Sequence, residues 1–364
     1  MVHLKLSLKK SISGFKKEYF RKKLIVPNLK LNRRKLLLKN IKKAGFKEKK
    51  FDTGEVKLNY VVGPDNGLPL VLIPAQAASW ENYQKVLIPL SKKFQVFALD
   101  VRGHGKSDWT TGDYSFESIG RDMSLFLQKV VKKPAIISGN SSGGLITIWI
   151  AANLPECTLA IIPEDPPLFS ADWPRIKKEF VYNVLKSTVE IVKVLMESRS
   201  VKELSTAFQK IEKPIEGSKK TRKLPGWLTN LLAMIIRLFQ SISTEKPLSI
   251  PLLPGKLRVL VETLSTYDPD FSQAWVDGRI YKGLNHEEAL QRVKCPMLLL
   301  HANWFRHPEY GLVGAMDDED AAYACELVPH CQYKRIDSDH VIHSDQPQVF
   351  IQEIEGFIGK IAQL

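Results

Sequence analysis

Ala135-Ile136-Ile137-Ser138-Gly139-Asn140-Ser141-Ser142-Gly143-Gly144-Leu145 holds the densest information in the chain. Its first three residues form a short apolar run of the kind a fully buried strand requires. Gly139 to Gly143 then fits G-x-S-x-G, and residues 145–153 read as a helix. A serine between such a strand and such a helix sits on a sharp turn at the C-terminal edge of a sheet, with its hydroxyl exposed. Gly139 and Gly143 suit that turn because no room is left for side chains beside the serine. The helix N-terminus beneath Ser141 favours developing negative charge.

Outward from this segment, strand and helix signals alternate. Residues 56–61 alternate apolar and polar, as a half-buried antiparallel strand does, and 63–67 (Gly-Pro-Asp-Asn-Gly) form a turn. Apolar runs at 70–73, 96–99 and 159–162 read as strands, with helical stretches at 79–93 and 116–132 between them. This order argues for βαβ units and a mostly parallel sheet. From about 168 to 291 the alternation stops. That segment reads as helices at 173–196, 201–211, 227–243, 257–264 and 286–293. Strands resume at 296–300 and 332–336, and a last helix runs from 347 to about 361.

Asp100-Val101-Arg102-Gly103-His104-Gly105-Lys106-Ser107 follows the strand at 96–99. Together with the serine turn, this D-x-R-G-x-G-x-S loop resembles the α/β-hydrolase superfamily, in its esterase and C–C-hydrolase branches. The resemblance covers roughly 56–165 and 294–364, and the helical segment stands where those enzymes carry a cap. It implies an α/β-hydrolase fold: a mostly parallel sheet flanked by helices, with an inserted helical cap. The expected organisation is a basic extension at 1–50, core at 51–167, cap at 168–291 and core again at 292–364. The 102–107 loop is expected to be structural; the alternative gives Arg102 or His104 a substrate contact.

The same resemblance implies a Ser…acid…His order. Ser141 is the expected nucleophile. His340 follows the strand ending near Ile336 and precedes the final helix, where the family keeps its base; His343 is the competitor. Asp339 stands where the family more often has Gly. The family most often places its acid after the strand equivalent to 297–300, but Asn303 occupies that position, and an amide cannot supply the charge that stabilises an imidazolium. Some branches place the acid after the sixth strand instead, which here reads Ile162-Pro163-Glu164-Asp165-Pro166-Pro167. Asp165 is the first choice, with Glu164 and Asp317 as alternatives. Asp165 could equally be a turn residue before two prolines, and Asp317, opening Asp-Asp-Glu-Asp, suits a helix N-cap. The expected oxyanion donors are the backbone N–H groups of Ser142 and Gln76, the latter in a loop carrying Pro74-Ala75 where the family often has His-Gly.

Composition narrows the rest. The chain has 364 residues, 44% of them apolar, which excludes wholesale disorder. No predominantly apolar stretch reaches about 18 residues, so no membrane span is expected. Cys157, Cys295, Cys325 and Cys331 are scattered, giving no support to a zinc knuckle or disulfide scaffold. The net charge of +14 is concentrated: residues 1–50 hold 18 Lys+Arg and only Glu18 and Glu48 as acids. The remainder is near neutral, so the basic pI does not argue for nucleic acid. The extension reads as a solvated, partly helical segment; the alternatives are peripheral contact with an anionic membrane and an organellar transit peptide. Residues 227–239 are apolar nearly all round, which argues for burial, and a buried helix here could roof an apolar pocket. The basic run 218–223 just before it reads as a solvated loop.

The expectation is a cofactor-free, metal-free serine hydrolase acting on a small carboxylic ester with an apolar acyl or aromatic part, with no nucleic-acid partner. A C–C-bond hydrolase or lactonase, or a receptor-like binding member with weak turnover, are the alternatives. A serine at the turn argues against the superfamily branches that use an Asp nucleophile. The expected location is cytoplasmic, with peripheral membrane attachment as the variant.

Overall fold

The computed structural model describes residues 33–243, 247–251, 253 and 255–361. Helix α1 (Arg33–Lys43) precedes an eight-stranded sheet. Its strands are β1 (Lys47–Asp52), β2 (Lys57–Val62), β3 (Pro69–Ile73), β4 (Gln95–Leu99), β5 (Ala135–Asn140), β6 (Thr158–Glu164), β7 (Met297–His301) and β8 (Cys331–Arg335). They lie in the order β1-β2-β4-β3-β5-β6-β7-β8. Only β2 runs against its neighbours. β3, β5 and β7 are buried along their whole length, as the apolar runs at 70–73, 135–137 and 297–300 require.

Helices α2 (Phe116–Phe126) and α3 (Ser142–Asn153) pack beside each other, with α3 directly on β5 and β6. Ser115 caps α2 through a capping box with Ser118. α3 is buried on nearly every side, so the serine turn that opens it rests on a rigid support.

Between β6 and β7 lie α4 (Phe180–Glu197), α5 (Val201–Gln209), α6 (Gly226–Ile242), α7 (Gly255–Leu264), α8 (Pro269–Asp277) and α9 (His286–Gln291). α8 and a two-stranded hairpin (Glu212–Pro214 with Thr221–Lys223) are additions to the helices expected from sequence. α4 packs on α8 and α5, and α5 packs on α6. Arg237 of α6 is turned inward and donates to the Leu195 and Val194 carbonyls (3.1 and 2.9 Å), closing the C-terminal end of α4. The second part of the core adds α10 (Asp318–Leu327) before β8, and α11 (Pro347–Ile361) after it.

Three expectations need correction. Sequence ends the extension at residue 50, but β1 begins at Lys47 and pairs with β2 in register Lys47↔Val62 to Asp52↔Lys57. Its side chains are mostly exposed, so an edge strand of lysines looks like a solvated tail. The helix at 227–239 does not bury all its apolar surface: Leu232, Ala233 and Ile236 face inward, while the opposite side meets solvent. Finally, Cys325 at the end of α10 pairs as a disulfide with Cys331 at the start of β8. Their spacing of six residues gives no sequence signal, but the turn between helix and strand brings the Cα atoms to 5.3 Å. The apolar and basic groups at 1–32 lie outside the described residues.

Candidate active site

Ser141 stands between the last residue of β5 and the first of α3, with φ 56° and ψ −120°. A non-glycine residue there carries about 1–3 kcal/mol of backbone strain, which the surrounding packing must hold. The two flanking glycines are required by contact. A Cβ on Gly139 would collide with the Gly143 carbonyl oxygen, and one on Gly143 with that of Ile73. Gly143 thus lies against the end of β3, which brings the loop after that strand beside the turn.

Asp165 follows the last residue of β6. Its N–H donates to Leu300 O (2.7 Å), and its Oδ1 accepts from Ala302 N–H (3.0 Å). The carboxylate is therefore clamped across the ends of β6 and β7, and is 1% exposed. Its Oδ2 lies 2.5 Å from His340 Nδ1. A carboxylate can only accept, so Nδ1 carries the proton and Nε2 keeps its lone pair. Burial works against a charged His340, but the hydrogen bond and charge of Asp165, with Glu164 behind it, outweigh that and hold its pKa above the usual 6.5. The ring keeps 42% of its side-chain surface exposed, so the Asp165 contact decides the direction.

Ser141 is tied to the same corner. Its N–H donates to Glu164 O (2.9 Å). Asn140 Nδ2 reaches both Glu164 O (3.3 Å) and His340 O (3.0 Å), joining the serine turn to the histidine loop. Ser141, Gln76 and His340 are all partly exposed, Ser141 between the buried Asn140 and Ser142.

The other candidates are placed elsewhere. Glu164 and His343 pair with each other, Nδ1 to Oε2 at 2.7 Å, both with no exposed side-chain surface. The His343 ring also stacks on Tyr83, with centroids 4.0 Å apart. Asp317 caps α10 by accepting from Asp320 N–H (2.9 Å), and it pairs with Arg306. Asn303, in the position the family more often gives to an acid, is exposed and donates to Asp337 (2.7 Å).

Gln76 Nε2 donates to Ser272 Oγ (2.8 Å), which is 2.7 Å from Tyr267 OH. The loop is thereby tied to α8 of the insertion, a link that sequence gave no means of finding. Ser142 is the first residue of α3, where backbone N–H groups have no partner within the helix.

The 102–107 loop is structural. Arg102 is fully buried and binds Asp122 (2.7 Å) and Asp113 (2.8 Å). Asp100 accepts from Trp80 N–H, Lys106 N–H and Asn59, and burial pushes its pKa up to about 6. His104 is buried against Tyr267 and Phe271, and burial lowers its pKa to about 4. Neither Arg102 nor His104 is exposed enough to meet a ligand.

An eight-stranded sheet with a strained serine at the β5–α3 turn, and an Asp–His pair beside it, defines an α/β hydrolase. The model of the alpha/beta hydrolase fold family matches residues 69–259, and the chain belongs to that family. It is 21% identical over 316 residues to 3-oxoadipate enol-lactonase 2 of Acinetobacter baylyi, covering 84% of this chain and 94% of that protein. Among solved structures it resembles a bacterial membrane phospholipase A (TM-score 0.61, 17% identity, 100% of this chain and 98% of that one). It also resembles the carboxylesterase CesB of Bacillus subtilis (TM-score 0.57, 14% identity, 89% and 96%). At these identities the structural likenesses show the fold alone. No helix among the described residues is long and apolar enough to cross a membrane.

Proposed function

We propose that this chain is a cofactor-free serine hydrolase that cleaves a carboxylic ester bearing an apolar acyl or aromatic group. The observation that carries the reading is the 2.5 Å contact between Asp165 and His340, next to a serine held at φ 56°. Ser141 Oγ attacks the ester carbonyl while His340 Nε2 takes its proton. The oxyanion is held by the N–H groups of Gln76 and Ser142. Collapse expels the alcohol, which takes the proton back from His340, and leaves an acyl-Ser141. Water then repeats the sequence, its proton going to His340 and the acid leaving. Asp165 keeps the tautomer and stabilises the imidazolium throughout.

A second reading is lactone hydrolysis, favoured by the match to an enol-lactonase over most of both chains. A lactone is an internal ester, so the same groups suffice, and the expelled oxygen stays on the acyl part. The test is labelling by a fluorophosphonate, which needs the activated serine. Wild type should label and Ser141→Ala should not. Equal labelling of the two would sink the reading. A panel of open esters and lactones then separates the two substrate classes.

A further inference from the structure

α6 presents an apolar stripe to solvent. At 100° per residue, Trp227, Leu231, Met234, Leu238 and Ile242 fall on one face, and they are 70, 43, 51, 49 and 57% exposed. Beyond Gly226, the other exposed positions of the helix are Asn230 and Ser241, both uncharged. Arg237, the single charge of the helix, points inward to the end of α4. A helix facing water normally puts its charges outward, as α4 does with Lys186, Lys193 and Glu197.

The hairpin before α6 supplies the charge. Lys213, Lys219, Lys220, Arg222 and Lys223 are all exposed on it, against a single acid, Glu216, over 213–223. Lys223 pairs with Glu212. Among the described residues the other four cations have no ion-pair partner. Only Leu224, Pro225 and Gly226 separate this cluster from Trp227, and Ile215 is exposed in the same hairpin.

We infer that the outer face of α6 with its basic hairpin is a docking surface for an anionic lipid bilayer. Such a helix lies in the interfacial plane, its apolar stripe about 5–10 Å into the headgroup boundary. Tryptophan sits at headgroup level and clustered lysines and arginines meet lipid phosphates. A second copy of this chain fits the face poorly, because its matching face is apolar and uncharged and supplies no anions for the basic hairpin. The surface is separate from the proposed reaction, and its test needs no substrate.

The experiment is flotation of the full-length chain with phosphatidylcholine vesicles, with and without phosphatidylglycerol. Trp227→Ser/Leu231→Ser/Met234→Ser/Leu238→Ser should reduce partition onto the anionic vesicles by about tenfold or more. Lys219→Glu/Lys220→Glu/Arg222→Glu should remove the preference for phosphatidylglycerol. All these side chains are exposed, and circular dichroism checks the fold; Leu231→Ser/Leu238→Ser is the milder fallback. Residues 1–40 are present in every variant, so any vesicle binding of their own is common to all. Partition of the serine variants equal to wild type overturns the proposal. So does a self-association that the serine variants abolish while vesicle binding stays unchanged.

Discussion

Glu164 and Asp165 are consecutive, yet their carboxylates serve different histidines: Asp165 Oδ2 meets His340 Nδ1 at 2.5 Å, and Glu164 Oε2 meets His343 Nδ1 at 2.7 Å. Successive side chains of a strand point to opposite faces. Glu164 is the last residue of β6 and turns into the core, while Asp165, at φ 44°, turns toward the partly exposed edge. Two acids and two histidines that sequence offers as rivals are thus sorted into one wholly internal pair and one pair whose acid is buried and whose histidine is open to solvent.

Asp165→Asn should lower kcat by about 10⁴ without unfolding the protein, because the histidine loses its orienting charge. Asp317→Ala should leave kcat alone and cost about 1 kcal/mol of stability, the usual loss for an N-cap. Steady-state kinetics and urea denaturation on both variants check this; the opposite pattern would move the acid to the β7 side.

The Glu164–His343 pair predicts a defect of stability. Glu164→Ala leaves His343 without its buried acceptor and should cost about 3–5 kcal/mol in chemical denaturation. Below its lowered melting temperature, the variant should still label with a fluorophosphonate.

The pH dependence follows from the raised His340 pKa. As a base, His340 must be neutral, so the acidic limb of kcat/KM should have its midpoint above 6.5. For stability the sign is opposite. The charged pair contributes fully below the unfolded value of about 6.5, and the contribution is lost as pH rises through the higher folded value. Histidine NMR titration should show the midpoint falling in Asp165→Asn.

Gln76 is proposed to act through its backbone. Gln76→Ala should therefore be mild, losing only the tether to Ser272, whereas Gln76→Pro removes the donor and should cost about 10²–10³ in kcat. Equal effects of the two would argue that the side chain matters and the N–H does not.

Truncation should respect β1. A chain starting at Ile41 keeps the whole sheet and should retain its melting temperature and kcat on a soluble ester. One starting at Phe51 loses most of β1 and should melt earlier, with about 1 kcal/mol lost per ladder hydrogen bond. Differential scanning calorimetry separates the two outcomes.

Much of this was legible in the chain because local chemistry and tertiary role coincide there. The β5–Ser141–α3 turn needs glycines at fixed places, and the buried strands are continuous apolar runs, so pattern and fold agree. The Asn303 position also points to a relocated acid. What sequence cannot reach is set by long-range geometry. Nothing near Ala302 says that its N–H will hold Asp165, and nothing near Ser272 says that it will meet Gln76, 196 residues away. The strand β1 was hidden by its exposed lysines, and α6 looked buried because composition cannot tell which of two apolar faces finds a partner.

The position of Asp165 also bears on how this molecule could be re-engineered. The acid is followed by Pro166 and Pro167, whose rings fix two successive backbone torsions, and Pro166 lies close enough to α3 that a Cβ on Gly144 would come within 2.9 Å of it. The splice point of the helical insertion therefore lies beyond a stiff, anchored joint. Under the proposed function, replacing the helices of the insertion with those of a relative should change what enters the site while leaving Asp165 and Ser141 in register, provided that the Ser272 contact to Gln76 is kept.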